Sequence, residues 1–170
     1  MADEFRKADV FGIKENVFKL LDKDWMLITA GTGESFNTMT ASWGGFGIMW
    51  GKPVAHCVIR PQRYTREFME KSTHFTLSFF DEKYRKALNL CGAKSGRSVD
   101  KVKETGLTPV RAESGAVYFA EARMVFECRK IYFSDFDPKN FLDPAIAKNY
   151  SSKDYHRLYM GEILSCLVRT

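Results

Sequence analysis

The sequence predicts a mainly β fold with peripheral helices, a closed or nearly closed antiparallel barrel whose ends are covered by short helices. Two observations carry that expectation. Short strand-like runs recur from Trp25 to Val168, several with the alternation of a half-buried strand. Three or four short helical patterns lie between them, spaced too irregularly for a doubly wound parallel sheet. The 170 residues are expected to form one domain over residues 1–170, large enough to bury a sizeable core.

Composition narrows the function classes. A chain 45% hydrophobic and 28% charged, with 14 Phe, 7 Tyr and 3 Trp, is a globular protein and not a disordered one. Its net charge of +5 helps attract phosphorylated or acidic small molecules. No basic run or recognition motif points to nucleic acid. No stretch approaches the length of a membrane span. Met1 to Asp9 is charged and lacks the apolar centre of a secretory signal. Cys57, Cys91, Cys128 and Cys166 lie far apart beside apolar residues, with no C-x-x-C pair. Four buried free thiols in a reducing cytoplasm are expected. His56, His74 and His156 are too scattered to predict a metal site.

Along the chain, Lys14 to Leu21 reads as a short helix with Ile13, Val17, Phe18 and Leu21 on one face, ended by Asp22-Lys23-Asp24. Trp25 to Ala30 is a continuous apolar strand, and Gly31 to Ser35 turns it into the Asn37 stretch as a hairpin. That G-x-G is not a dinucleotide fingerprint, because position 36 is Phe and no helix follows. Pro53 to Arg60 is a strand stopped by Pro61. Tyr64 to Ser72 is a helix with Thr65 at its N-cap. His74 to Phe80 is a strand with Phe75, Leu77 and Phe79 on one face. Glu82 to Leu90 is a helix closed by Gly92 in the left-handed conformation. Ser98 caps a short helix through Glu104, closed by Gly106. Ala116 to Ser134 is rich in strand, with Met124, Phe126 and Cys128 on the apolar face. Asp137-Pro138 and Asp143-Pro144 mark an irregular excursion, and Tyr155 to Val168 forms a strand pair broken at Gly161.

Three places carry chemistry. Asn37 to Trp50 mixes hydroxyls, an amide and three glycines with large apolar side chains. It reads either as a half-buried strand followed by a glycine-rich turn, or as a place where backbone and small side chains approach a flat, polar-edged ligand. Arg60, Arg63 and Thr65 gather where a strand ends and a helix begins. They are either an anion site or two solvated arginines beside an ordinary cap. The loop Gly92 to Ser98 offers N–H groups and charge to a phosphate but lacks the ending of a P-loop.

The order and spacing of several segments together resemble the flavin reductase-like, FMN-binding split-barrel family. They are Asn37 to Trp43, Lys52-Pro-Val-Ala55, Arg60-Pro-Gln-Arg-Tyr-Thr65, Phe75-Thr-Leu-Ser78, Cys91 to Arg97 with Asp100-Lys101, and Gly161-Glu162. The resemblance runs from about Phe18 to Leu167. It implies a six-stranded antiparallel split barrel of Greek-key type, a homodimer and a bound FMN. By position, Asn37, Thr38, Met39, Thr40, Ala41, Ser42 and Trp43 would line the flavin ring, largely through backbone groups and Ser42. Arg60, Arg63, Tyr64 and Thr65 would face the ribityl phosphate. Lys94, Ser95, Gly96 and Arg97, with Lys101, would close over flavin or phosphate. No catalytic side chain is assigned; His156 is the candidate near a nicotinamide site. Two departures bear on that site. Ser98 stands where an acidic residue is common, and Tyr155-His156-Arg157 lacks the Gly-His pair of better-known reductases.

The implied activity is that of an FMN-dependent oxidoreductase taking hydride from NADH or NADPH and passing electrons to an acceptor, which could be a partner protein. The alternative is an FMN-binding electron-transfer protein with no NAD(P)H activity of its own. A further alternative is a split-barrel relative that binds another planar ligand. The dimer expectation has a residue basis as well. Trp43, Phe46, Ile48, Met49 and Trp50 are more apolar surface than one turn readily buries. Left exposed they would form an interface; otherwise they pack under the protein's own helices.

Overall fold

The computed structural model describes residues 5–170, so the first four residues of the charged N-terminal segment lie outside it. Strand β1 is Phe5–Ala8, followed by α1, Val17–Lys19, which runs into a π-turn over Leu20–Asp24. Then come β2 (Met26–Thr32), β3 (Ser35–Ala41), β4 (Gly44–Met49) and β5 (Lys52–Ile59). Helix α2 (Thr65–Lys71) leads to β6 (His74–Phe79), and α3 (Arg85–Ala93) and α4 (Lys101–Thr105) follow. The short hairpin β7–β8 (Pro109–Arg111, Val117–Phe119) precedes the two long strands β9 (Met124–Asp135) and β10 (Arg157–Arg169).

One antiparallel sheet organises the chain, in the order β3-β2-β6-β9-β10-β5-β4, with β1 added to the far end of β10. It is a split barrel of eight strands, where the resemblance implied six. Its two edges, β3 and β4, are consecutive in sequence and joined only by Ser42 and Trp43. Ala41 and Gly44 are three Cα steps apart, at most about 11 Å, so the sheet has to curl until the joined ends of its edges nearly meet.

β2 is buried on both faces, which is why it reads as an unbroken apolar run. Met26, Ile28 and Ala30 face a core shared with Phe75, Leu77, Phe79, Phe126, Cys128 and Tyr159. Leu27 faces a second cluster, in which Leu88 and Cys91 of α3 pack against Phe119 and Val125. All four cysteines are buried and free. No helix among the described residues is long and apolar enough to cross a membrane.

Several local expectations change. Gly44 to Met49 is not a turn but a strand, paired residue by residue with β5. The glycines hid it from pattern reading, yet they permit the pairing: a Cβ on Gly44 would meet the His56 carbonyl oxygen at 2.3 Å. The first helix is shorter than Lys14 to Leu21. The π-turn winds through the acidic stop and buries Leu20 and Leu21, while Phe18 stays exposed. Thr65 is the first residue of α2 rather than its cap. Asp100, not Ser98, caps α4 by accepting from the Lys103 N–H at 3.1 Å. Gly92 lies inside α3, which continues to Ala93, whereas Gly106 does close α4 in the left-handed conformation. The last strand pair is a single strand, β10, whose ladder with β9 slips register between Met160 and Gly161.

Candidate functional site

The site begins at the open edge of β3. In the β2–β3 hairpin the closing pair is Thr32 with Ser35, so Asn37, Met39 and Ala41 fall at the positions that bond β2. Thr38 and Thr40 therefore turn their backbone groups to the unpaired side. The Lys101 ammonium is bonded there, donating to the Thr38 carbonyl at 2.6 Å.

Two cavities open along this edge. One, of about 320 Å³, is lined by Met39, Thr40, Ala41, Ser42, Trp43, Val58, Arg60, Arg63 and His156. The other, of about 690 Å³, is lined by Asn37, Thr38, Tyr64, Phe68, Gly96, Arg97, Ser98, Asp100 and Lys101 among others. The structure thus gathers most of the sequence-predicted residues, but around two cavities that share one strand. Lys94 and Ser95 line neither. Ser95 instead closes the loop on itself, its carbonyl accepting from the Ser98 and Val99 N–H groups at 3.0 and 3.1 Å.

The cations are already engaged. Arg63 donates to the carbonyls of Gly92 and Cys91 at 2.8 and 3.3 Å. Lys101 adds a second bond to the Cys91 carbonyl at 2.9 Å. Both neutralise the C-terminus of α3, whose last carbonyls and dipole favour positive charge. Burial brings the Lys101 ammonium down to about 8. Arg60 donates to Asp154 at 2.7 Å and to the Asn149 carbonyl at 2.9 Å, and it covers the Tyr150 ring. It therefore docks the excursion between β9 and β10 onto the first cavity, and a phosphate at Arg60 has to share it with Asp154.

Thr65 is completely buried, and its hydroxyl accepts from the Asn37 amide at 2.8 Å. This pair locks α2 to β3 and leaves the Thr65 side chain without a free face for ligand. The loop after α3 presses on the same amide: a Cβ on Gly96 would lie 2.0 Å from Asn37 Oδ1. Only glycine lets the loop lie so close. Arg97 stacks over Tyr64 at 4.4 Å and pairs with Glu67.

His156 lies in the wall of the first cavity, its ring 5.2 Å from that of Trp43. Burial first, then the Arg60 charge, pushes it down to about 4, so the imidazole is neutral at physiological pH. Pattern reading missed Val58, Tyr150 and Asp154 as site residues. The aromatic density of Phe136, Phe141, Tyr150 and Tyr155 in an otherwise irregular excursion is the signal that marks it as packed rather than loose.

A sheet split beside an open strand edge, with small residues on the edge and cations around it, defines a split-barrel protein with a candidate small-molecule site. The chain belongs to the flavin reductase-like family: the model of the flavin reductase like domain matches residues 20–170. No curated protein matches the chain. Among solved structures, the FMN-binding domain of a flavin reductases-like enzyme from Shewanella baltica is 17% identical with a TM-score of 0.72, over 99% of this chain and 79% of that one. Flavoredoxin from Methanosarcina acetivorans is 22% identical with a TM-score of 0.68, over 94% and 75%. An NADH:FAD oxidoreductase from Streptomyces globisporus is 18% identical with a TM-score of 0.66, over 86% and 75%. Each shares the fold.

Lys101 generates a prediction that needs no ligand. Its ordinary value is 10.5, so the unfolded chain holds this proton more tightly than the folded one. The stability owed to this group therefore rises as pH climbs from about 8 to 10.5. Lys101→Met should cost about 1–3 kcal/mol at neutral pH, by removing the shorter hydrogen bond from each of two carbonyls. The gap to the parent in urea midpoint should then widen across that pH window. A gap that stays constant would place the Lys101 titration elsewhere.

Proposed function

We propose that the protein is an FMN-dependent oxidoreductase that accepts hydride from NADH or NADPH and passes electrons to an acceptor. The observation that carries this reading is the free edge of β3, which runs past both cavities with cations beside each. A ligand with a flat, polar-edged ring and an anionic tail has backbone N–H and C=O groups for the one and guanidinium groups for the other. When bound, FMN supplies the two-electron centre for hydride chemistry. The chain's part is to bind and orient. Thr40, Ala41 and Ser42 keep the edge low enough for a ring to approach, Trp43 and His156 bound it, and Arg60 and Arg63 face the anionic tail. The four buried thiols fit a reducing cytoplasm.

A second reading, an FMN-binding electron carrier with no NAD(P)H activity, draws on the exposure of Trp43, 46% open at the cavity wall, where an acceptor protein could approach. Two measurements decide. The purified protein should show flavin absorbance or take up added FMN; a colourless protein that refuses FMN ends both readings. Stopped-flow addition of NADH or NADPH should then bleach the flavin, and a flavin that stays oxidised leaves only the carrier.

Arg63→Ala should weaken FMN about tenfold or more, since a charge-assisted hydrogen bond contributes roughly 1.5–3 kcal/mol and 1.4 kcal/mol is a decade. Riboflavin, which has no phosphate, should lose far less. Equal losses in a titration of both would mean that Arg63 acts by holding the end of α3.

The same reading makes the protein a homodimer with its flavin sites at the interface. Trp43, Ile48, Met49 and Trp50 remain 41–62% exposed, and only Phe46 packs inward, 4.7 Å from the Phe126 ring. Trp50 holds a left-handed φ of 51° at the β4–β5 turn, beside the half-exposed Tyr132. A large aromatic in so unfavourable a conformation at an exposed tip is characteristic of a contact anchor. Trp50→Glu should convert the dimer to monomer in light scattering and lower FMN affinity with it. Separation with FMN affinity intact would put the flavin site away from the seam.

A further inference from the structure

Tyr150 is remote from the open edge of β3 in sequence, and nothing in the strand pattern marks it, yet it touches the one neutral titratable group in the first cavity. Its hydroxyl lies 2.8 Å from His156 Nδ1, and both residues are buried. Phenol is the more acidic donor of the two and the imidazole nitrogen the more basic acceptor, so the favoured arrangement has Tyr150 donating to Nδ1. The proton of the neutral ring then sits on Nε2, for which no hydrogen-bond partner is found among the described residues.

The ring has little freedom to turn. Trp43, Tyr150 and Phe136 surround it with centroids at 5.2, 5.5 and 6.3 Å. Tyr150 is held in turn: the Arg60 guanidinium covers its face at 5.1 Å, and Phe141 stacks on it at 5.7 Å. The charged groups nearest the pair are Arg60 and Asp154, which satisfy each other at 2.7 Å. This is the arrangement that fixes a histidine tautomer through its second nitrogen.

We propose that Tyr150 is a positioning residue that holds His156 in the Nε2–H tautomer, so that the cavity wall presents a neutral N–H donor to a carbonyl oxygen on the ring bound there. Only the identity of that ring rests on the flavin reading above. The excursion between β9 and β10 thereby serves the site twice, lining the cavity with His156 and holding that ring from behind with Tyr150.

Nitrogen-15 NMR of the ring nitrogens tests this on the flavin-free protein, where only three histidines compete for assignment. The parent should show His156 as a single tautomer, Nε2 protonated and Nδ1 not. Tyr150→Phe, which keeps the ring and removes the donor, should lose that signature, its two resonances moving toward each other. A parent with Nδ1 protonated overturns the proposal without any variant, as does a Tyr150→Phe protein whose tautomer is unchanged. Addition of FMN should then shift the Nε2 resonance. If visible absorbance shows FMN bound and the resonance does not move, the donor role is wrong. If FMN is not taken up, the flavin reading fails while the tautomer assignment stands on its own measurement.

Discussion

The two-residue link between β3 and β4 is the constraint on which the rest depends. Both strands are edges of one sheet, and Ser42 with Trp43 is all that connects them. A sheet whose edges are so tethered must curl, and its natural twist lets it. It does not close, because β3 and β4 are not paired with each other. The gap leaves β3 with free backbone groups in the interior of a folded protein, where unpaired N–H and C=O groups are costly. One of those groups is met by a lysine, and side chains along the same edge tie β3 to its neighbours. Lys101 takes the Thr38 carbonyl, Thr40 bonds the Leu88 carbonyl, and Asn37 bridges to Thr65.

The electrostatics follow from the same geometry. α3 ends beside the open edge, so its last carbonyls point their negative end at the site. Arg63 and Lys101 meet them. The result is a set of cations gathered near a cavity wall and held in place before any anion arrives, which lowers the ordering cost of binding. Arg60 is different, since its partners Asp154 and Asn149 belong to the excursion. Its charge serves the cavity and the docking of the excursion together, so the two cannot vary independently.

The fold was largely legible in the sequence, and the reason is local. β2, β6 and β9 carry apolar side chains in strand periodicity, and turn residues separate them. What escaped was written in glycine or in distance. β4 has almost no side chains on its first residues, so its strand character appears only when β5 lies against it. Thr65 as a cap and Thr65 as a buried acceptor for Asn37 look identical in sequence, because the partner is 28 residues away. Arg60, Arg63 and Lys101 were legible as basic residues near a strand end or loop. Their carbonyl and carboxylate partners were not, since those arise from where α3 and the excursion finish in space.

A split sheet has two open edges, and they face different problems. β3 is shielded by α3 and the loop that follows it, which leaves room for a small ligand and little else. β4 is less fully shielded: its last residues Ile48 and Met49 are exposed, and Trp50 extends the same surface. A flat, apolar, uncharged edge is a template for pairing or sticking to other chains, and proteins normally guard it. Here the guard is sparse: Lys52 at that end is held by Glu162 at 2.8 Å. An edge left so unprotected is tolerable if it is covered in the working protein. A second copy covering β4 would also stand next to Ser42 and Trp43, because the link that splits the barrel joins the two edges. The ligand site and the subunit contact then become neighbours through chain connectivity alone.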